Sequence, residues 1–186
     1  SNGGFRNIAV SNCVIAHASE DNIRHWSRHI ANISADKTVI SGIAVEMTDG
    51  GIIDGITFSN ISMRDVQTPI FIKLGDRKRT YRNAPGILRN VSIRGITAIA
   101  ESLIPSSITG IPGTMVENIS LSDIQITCLG GGTRAMAERD VPERAGKYPE
   151  NRMFGHDLPA VAFYVRHARG MHFDNIRVTV LKPDAR

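Results

Sequence analysis

The chain has 186 residues, 41% of them hydrophobic and 22% charged, enough apolar material for one buried core and a prior of one domain over 1–186. No apolar run approaches the length of a bilayer span and no signal peptide is read at the start, so no membrane partner is expected. Two cysteines are too few for a disulfide framework, and a formal net charge of +4 suits an acidic polymer or nucleic acid without selecting either.

The first patterned stretch is "NIAVSNCVI" (7–15), and the pattern returns as "GITFSNISM" (55–63), "NVSIRGITA" (90–98), "NISLSDIQI" (118–126) and "GMHFDNIRV" (170–178). Core-type residues stand at the second, fourth, seventh and ninth places of each, as in Ile56, Phe58, Ile61 and Met63. A plain strand keeps a spacing of two. The central gap of three means the chain must bend there to keep both halves facing inward. At the bend stand Asn12, Asn60, Gly95, Asp123 and Asn175, and each copy opens on Asn7, Gly55, Asn90, Asn118 or Gly170. These are the residue types that tolerate the left-handed backbone region. Cys13 occupies a core place and reads as buried packing.

Between the first two copies, "SEDNIRHWSRHIANI" (19–33) sets Ile23, Trp26, Ile30 and Ile33 on one helical face, behind an N-cap at Ser19. A short helix packed over the first coil is expected there, with a basic outer face. Further short strands, "GIAVEM" (42–47), "PIFIKL" (69–74), "SSITGI" (106–111) and "VAFYVRH" (161–167), each precede a repeat copy. One short strand plus one bent double strand makes a three-stranded coil. Stacked coils give an all-β, single-stranded parallel β-helix, with asparagines aligned into amide ladders about 4.8 Å apart.

Alternation places Ile43, Val45, Met47, Ile70, Ile72 and Leu74 inside, with Ala44, Glu46, Phe71 and Lys73 outside. In the last short strand Phe163 and Val165 face in, and Tyr164 and Arg166 face out. Stacking then puts Glu46, Lys73, Arg166 and Tyr164 on one exposed face. That row suits a linear polysaccharide with sugar rings against Tyr164 or Phe71; the other reading is a Glu46–Lys73 surface ion pair between adjacent coils. Two excursions, the basic "GDRKRTYRNAPG" (75–86), with Arg77 and Tyr81, and the long polar stretch 130–157, are either binding loops or solvated connections. No stacked aromatic series accompanies the basic loop, so no nucleic-acid partner is expected. Gly130–Gly132 lacks the residues of a phosphate loop. The histidines and cysteines have no tight metal-ligand spacing, so neither metal nor cofactor is expected. The N-x-S matches at Asn32, Asn60, Asn90 and Asn118 fall mostly on repeat positions that turn the chain, the wrong context for glycosylation.

The stretches "SNGGFRNIAVSNCVI", "SGIAVEMTDGGIIDGITFSNISMRDVQTPIFIKLGDR" and "ENRMFGHDLPAVAFYVRHARGMHFDNIRV" resemble the C-terminal half of bacterial members of glycoside hydrolase family 28, the polygalacturonase-like pectin enzymes. The resemblance implies a right-handed, pectin-lyase-like solenoid of which this chain is a partial domain lacking the N-terminal coils. It also implies secretion or a periplasmic location, and inverting hydrolysis by two carboxyl groups. The family's acids, in an Asn-Thr-Asp motif and an Asp-Asp pair, are then expected upstream of Ser1, with no catalytic residue in this chain. The family's Arg-Ile-Lys segment aligns on Ala44-Val45-Glu46, where both cations are gone, which favours a neutral or differently placed sugar over simple polygalacturonate. Glu46, Asp49, Asp76 and Asp157 offer no dyad by spacing. The substrate-binding set is then Glu46, Lys73, Arg77, Tyr164 and Arg166, with plant-wall polysaccharide as partner. A non-catalytic carbohydrate-binding remnant is the alternative. Exposed strand edges predict self-association or a companion N-terminal piece.

Overall fold

The structure, a computed structural model, describes residues 3–17, 39–79 and 84–186. It is almost entirely β: β1 (Gly4–Ile15), β2 (Val39–Met47), β3 (Ile52–Leu74), β4 (Ile87–Ala100), β5 (Ser106–Thr109), β6 (Val116–Gly130), β7 (Phe163–Arg166) and β8 (Ala168–Lys182). A one-turn helix α1 (Arg134–Ala137) and a 3-10 turn (Asn151–Phe154) interrupt the long connection between β6 and β7. The helix expected over 19–33 and Tyr81 of the basic loop lie outside the described residues.

All strand pairings are parallel, in two rows that share β3: β1–β3–β4–β6–β8, and β2–β3–β5–β7. The five repeat copies pair in phase. Ile8, Ile56, Val91, Ile119 and Met171 stand in one column, and Cys13, Ile61, Ile96, Ile124 and Ile176 in another. Each copy therefore adds the same apolar places to a continuous core, which is why the spacing repeats in the sequence. The central rungs are sealed, with Ile61, Ile96 and Ile124 all buried. Cys13 sits in its core place but is only partly buried, because among the described residues β1 pairs on one side alone. Val165, expected inside, is 39% exposed for the same reason: β7 is the last strand of its row among the described residues.

All ten predicted turning positions adopt positive φ: Asn7, Asn12, Gly55, Asn60, Asn90, Gly95, Asn118, Asp123, Gly170 and Asn175. The side chains ladder between rungs. Asn60 Nδ2 donates to Asn12 Oδ1 (3.2 Å), Asn118 Nδ2 to Asn90 Oδ1 (3.1 Å), and Asn175 Nδ2 to Asp123 Oδ1 (2.6 Å).

Two burial assignments need correction. Phe71 and Lys73, expected on the exposed face, are fully buried. The alternation itself holds, since Ile70, Ile72 and Leu74 belong to the continuous apolar core and Phe71 does not. The outward face of β3 is covered by a second layer. The connection between β6 and β7 folds back over it, with Phe154 of the 3-10 turn buried and its ring 5.3 Å from Lys73 Nζ.

Candidate functional site

The register that aligns the core also aligns the outward residues. Glu46 pairs with Lys73, Lys73 with Thr109, and Thr109 with Arg166; beside them run Ala44, Phe71, Ser107 and Tyr164. The expected row therefore exists as a row of rungs. Its members nonetheless end in two different environments, because the covering segment lies over the inner rungs and leaves Glu46 at its margin.

Glu46 borders an open polar cavity of about 220 Å³ together with Phe5, Thr48, Asp49, Arg77 and Tyr148. Two turns build it. The strand β2 ends at Met47, and the chain 75–77 hydrogen-bonds back onto its end, Gly75 N to Met47 O (2.8 Å) and Arg77 N to Thr48 O (2.9 Å). Arg77 then clasps the Asp49 carboxylate with both arms, Nε to Oδ1 at 2.6 Å and Nη2 to Oδ2 at 2.5 Å. Its guanidinium carbon lies 5.5 Å from the Tyr148 ring centroid. Asp76 N donates to Ala145 O (2.8 Å), which ties the same turn to the segment that carries Tyr148. Tyr148 and Phe5 are 70% and 60% exposed, so two aromatic rings stand at the cavity with free surface.

The two carboxyl groups of this cavity differ sharply. Burial, with the nearby Glu150 charge as a smaller contribution, raises Glu46 to about 6. The Arg77 hydrogen bonds hold Asp49 down at about 2. Of the four acids weighed from the sequence, Asp49 is paired with Arg77, Asp76 with Lys78, and Asp157 with Arg139. Glu46 makes no ion pair among the described residues, and the Glu46–Lys73 surface pair does not form.

Glu46 and Arg77 thus come together. Lys73, Arg166 and Tyr164 do not join them: they lie around Phe154. Lys73 Nζ donates to Gly110 O (3.1 Å), and burial, then the neighbouring Arg166, push its ammonium down to about 8. Arg166 packs 5.7 Å from both the Phe154 and the Tyr164 ring centroids and donates to Val141 O (2.6 Å) and Pro142 O (3.1 Å). Burial raises the Tyr164 hydroxyl. Phe5, Asp49 and Tyr148 were not in the predicted binding set. Tyr148 lies within the long excursion already suspected as a binding loop. Which of that excursion's residues reach the cavity depends on how it folds back, and no local spacing encodes that.

Comparison with known proteins gives no match: no family model, no curated protein and no solved structure matches this chain.

Proposed function

We propose that this chain is the C-terminal part of a glycoside hydrolase acting on pectin-type plant polysaccharide, and that its parallel sheet is the right-handed winding of a β-helix. On this reading the chain supplies a cleft wall and sugar subsites, and the acids that cleave the bond come from elsewhere. The observation that carries the reading is the cavity at the end of β2. It joins a half-buried carboxyl group with no ion-pair partner among the described residues, an Arg–Asp pair, and two exposed aromatic rings. Aromatic rings offer faces to the C–H side of a sugar, and the carboxyl and guanidinium groups meet its hydroxyls. Because Asp49 already neutralises Arg77, the cavity holds no unpaired cation for a uronate, which favours a neutral sugar at this subsite. The in-phase rungs and left-handed turning residues support the helical winding. A non-catalytic carbohydrate-binding role rests on the same cavity and differs only in whether catalytic acids are joined to it.

Titration of the chain with rhamnogalacturonan and homogalacturonan oligosaccharides, read by calorimetry, tests the proposal. Binding is expected, stronger for the ligand that offers neutral sugars, and weakened about tenfold by Tyr148→Ala, equivalent to ~1.4 kcal/mol. No hydrolysis by the isolated chain is expected. Absence of binding to every pectic oligosaccharide at millimolar concentration would overturn the sugar reading. Turnover that disappears in Glu46→Gln would overturn the division of labour.

A further inference from the structure

The rungs beneath Phe154 hold more positive charge than the surrounding groups neutralise. Lys73 and Arg166 both face the Phe154 ring, at 5.3 and 5.7 Å. Among the described residues one carboxylate reaches them: Glu143 lies 3.4 Å from Arg166 and is shared with His167 Nε2 at 3.0 Å. The neighbouring Tyr164 is a neutral phenol, and Glu46, on the next strand, forms no ion pair with Lys73. Two cations against one carboxylate leave a surplus of one positive charge under a covering layer.

Donors are in surplus too. Lys73 is fully buried and, among the described residues, donates one hydrogen bond, to Gly110 O, although an ammonium has three donors. Thr109 stands on the rung between Lys73 and Arg166, is fully buried, and its Oγ1 has no hydrogen-bond partner among the described residues. Arg166 Nε is likewise buried without a partner. Buried polar groups are almost always satisfied, and an unpaired buried charge is costly unless a counter-ion reaches it. Three adjacent rungs therefore present an ammonium, a hydroxyl and a guanidinium N–H, each with unused hydrogen-bonding capacity.

We propose that Lys73, Thr109 and Arg166 form a buried binding site for one small monovalent anion, of the chloride or carboxylate type, beneath the segment that carries Phe154. The site is independent of the cavity at Glu46 and of the sugar reading. The anion would neutralise the surplus charge and give the unpartnered donors an acceptor.

Thermal unfolding of the full chain, with chloride or acetate titrated in separate series and the ionic strength held with a bulky sulfonate salt, tests the proposal. A saturable rise in Tm is expected, on the order of 3–6 °C at ten times the Kd. Lys73→Met, which removes the charge but keeps the volume, should abolish the saturable rise. Thr109→Val should weaken it. A response to chloride alone identifies an inorganic ion, and one to acetate alone a carboxylate such as that of a sugar acid. If Lys73→Met does not fold, the Thr109→Val comparison carries the test. An unchanged Tm in both series, or the same rise in the variant as in the parent chain, overturns the site and leaves water as the partner of these donors.

Discussion

At the residue scale, the turning positions show how closely side-chain chemistry and backbone are matched. At Gly95 φ is +63°, and an added Cβ would lie 2.9 Å from Asn60 Oδ1 on the adjacent rung. Asn12, Asn60, Asp123 and Asn175 hold the same left-handed conformation at the equivalent place, so the backbone favours glycine without demanding it, and the close approach of the Asn60 side chain adds a second preference for the missing Cβ. Glu46 shows the opposite situation, a group kept in a position that disfavours its charged form. Its folded-state value of about 6 lies above the ordinary 4.5, so its favourable contribution is complete below pH 4.5 and is lost as the pH rises through 6. Glu46→Gln should therefore be more stable than the parent chain at pH 7–8, by about 1 kcal/mol after allowing for solvent screening, with the difference vanishing near pH 4. Urea unfolding at the two pH values measures this; a variant less stable at pH 7 would show that the carboxylate has a partner that the geometry does not reveal.

At the scale of elements, the connection between β6 and β7 decides which outward residues reach solvent. It is anchored at several places. Asn151 Nδ2 donates to Ile40 O (2.8 Å) and Thr68 Oγ1 (3.0 Å), and Arg139 Nη2 to Phe154 O (2.7 Å). At the far end Asp184 accepts from Gly132 N (2.8 Å), and Arg186, paired with Asp184, reaches Leu103 O (2.7 Å). Phe154 is the apolar centre of the cover, so Phe154→Ala should remove roughly 3 kcal/mol of stability. It should also speed tryptic cleavage after the exposed Arg144 and Lys147, because cutting a chain held at both ends requires local opening. Limited proteolysis followed by mass spectrometry reads this directly. Unchanged cleavage would mean that the polar anchors alone hold the segment.

At the scale of the whole molecule, the rows of rungs end in strands that pair on one side only among the described residues. On β8, Val178 and Val180 occupy core-type places yet are 39% and 41% exposed, and Phe173 is 42% exposed. On β1, Phe5 and Val14 are also exposed. An edge strand with apolar side chains and free backbone groups invites pairing. Self-association that grows with concentration is therefore expected in sedimentation, and Val180→Lys should reduce it. A parent chain that stays monomeric at high concentration would show that these edges are protected.

The sequence by itself determined the repeating unit: which residues point inward, where the backbone turns left-handed, and which copies stack in phase. That information is local, because a phase slip and a glycine or asparagine at fixed places constrain the backbone wherever they occur, and in-phase stacking then buries equivalent residues together. Alternation likewise placed Glu46, Lys73, Tyr164 and Arg166 on one face. What only the tertiary structure decided is which part of that face stays open. Segment 141–154 lies over Lys73 and Arg166 and leaves Glu46 beside Arg77 and Tyr148. Those contacts join residues far apart in the chain, through one buried ring and a few hydrogen bonds to main-chain carbonyls, and such contacts leave no periodic trace in the sequence.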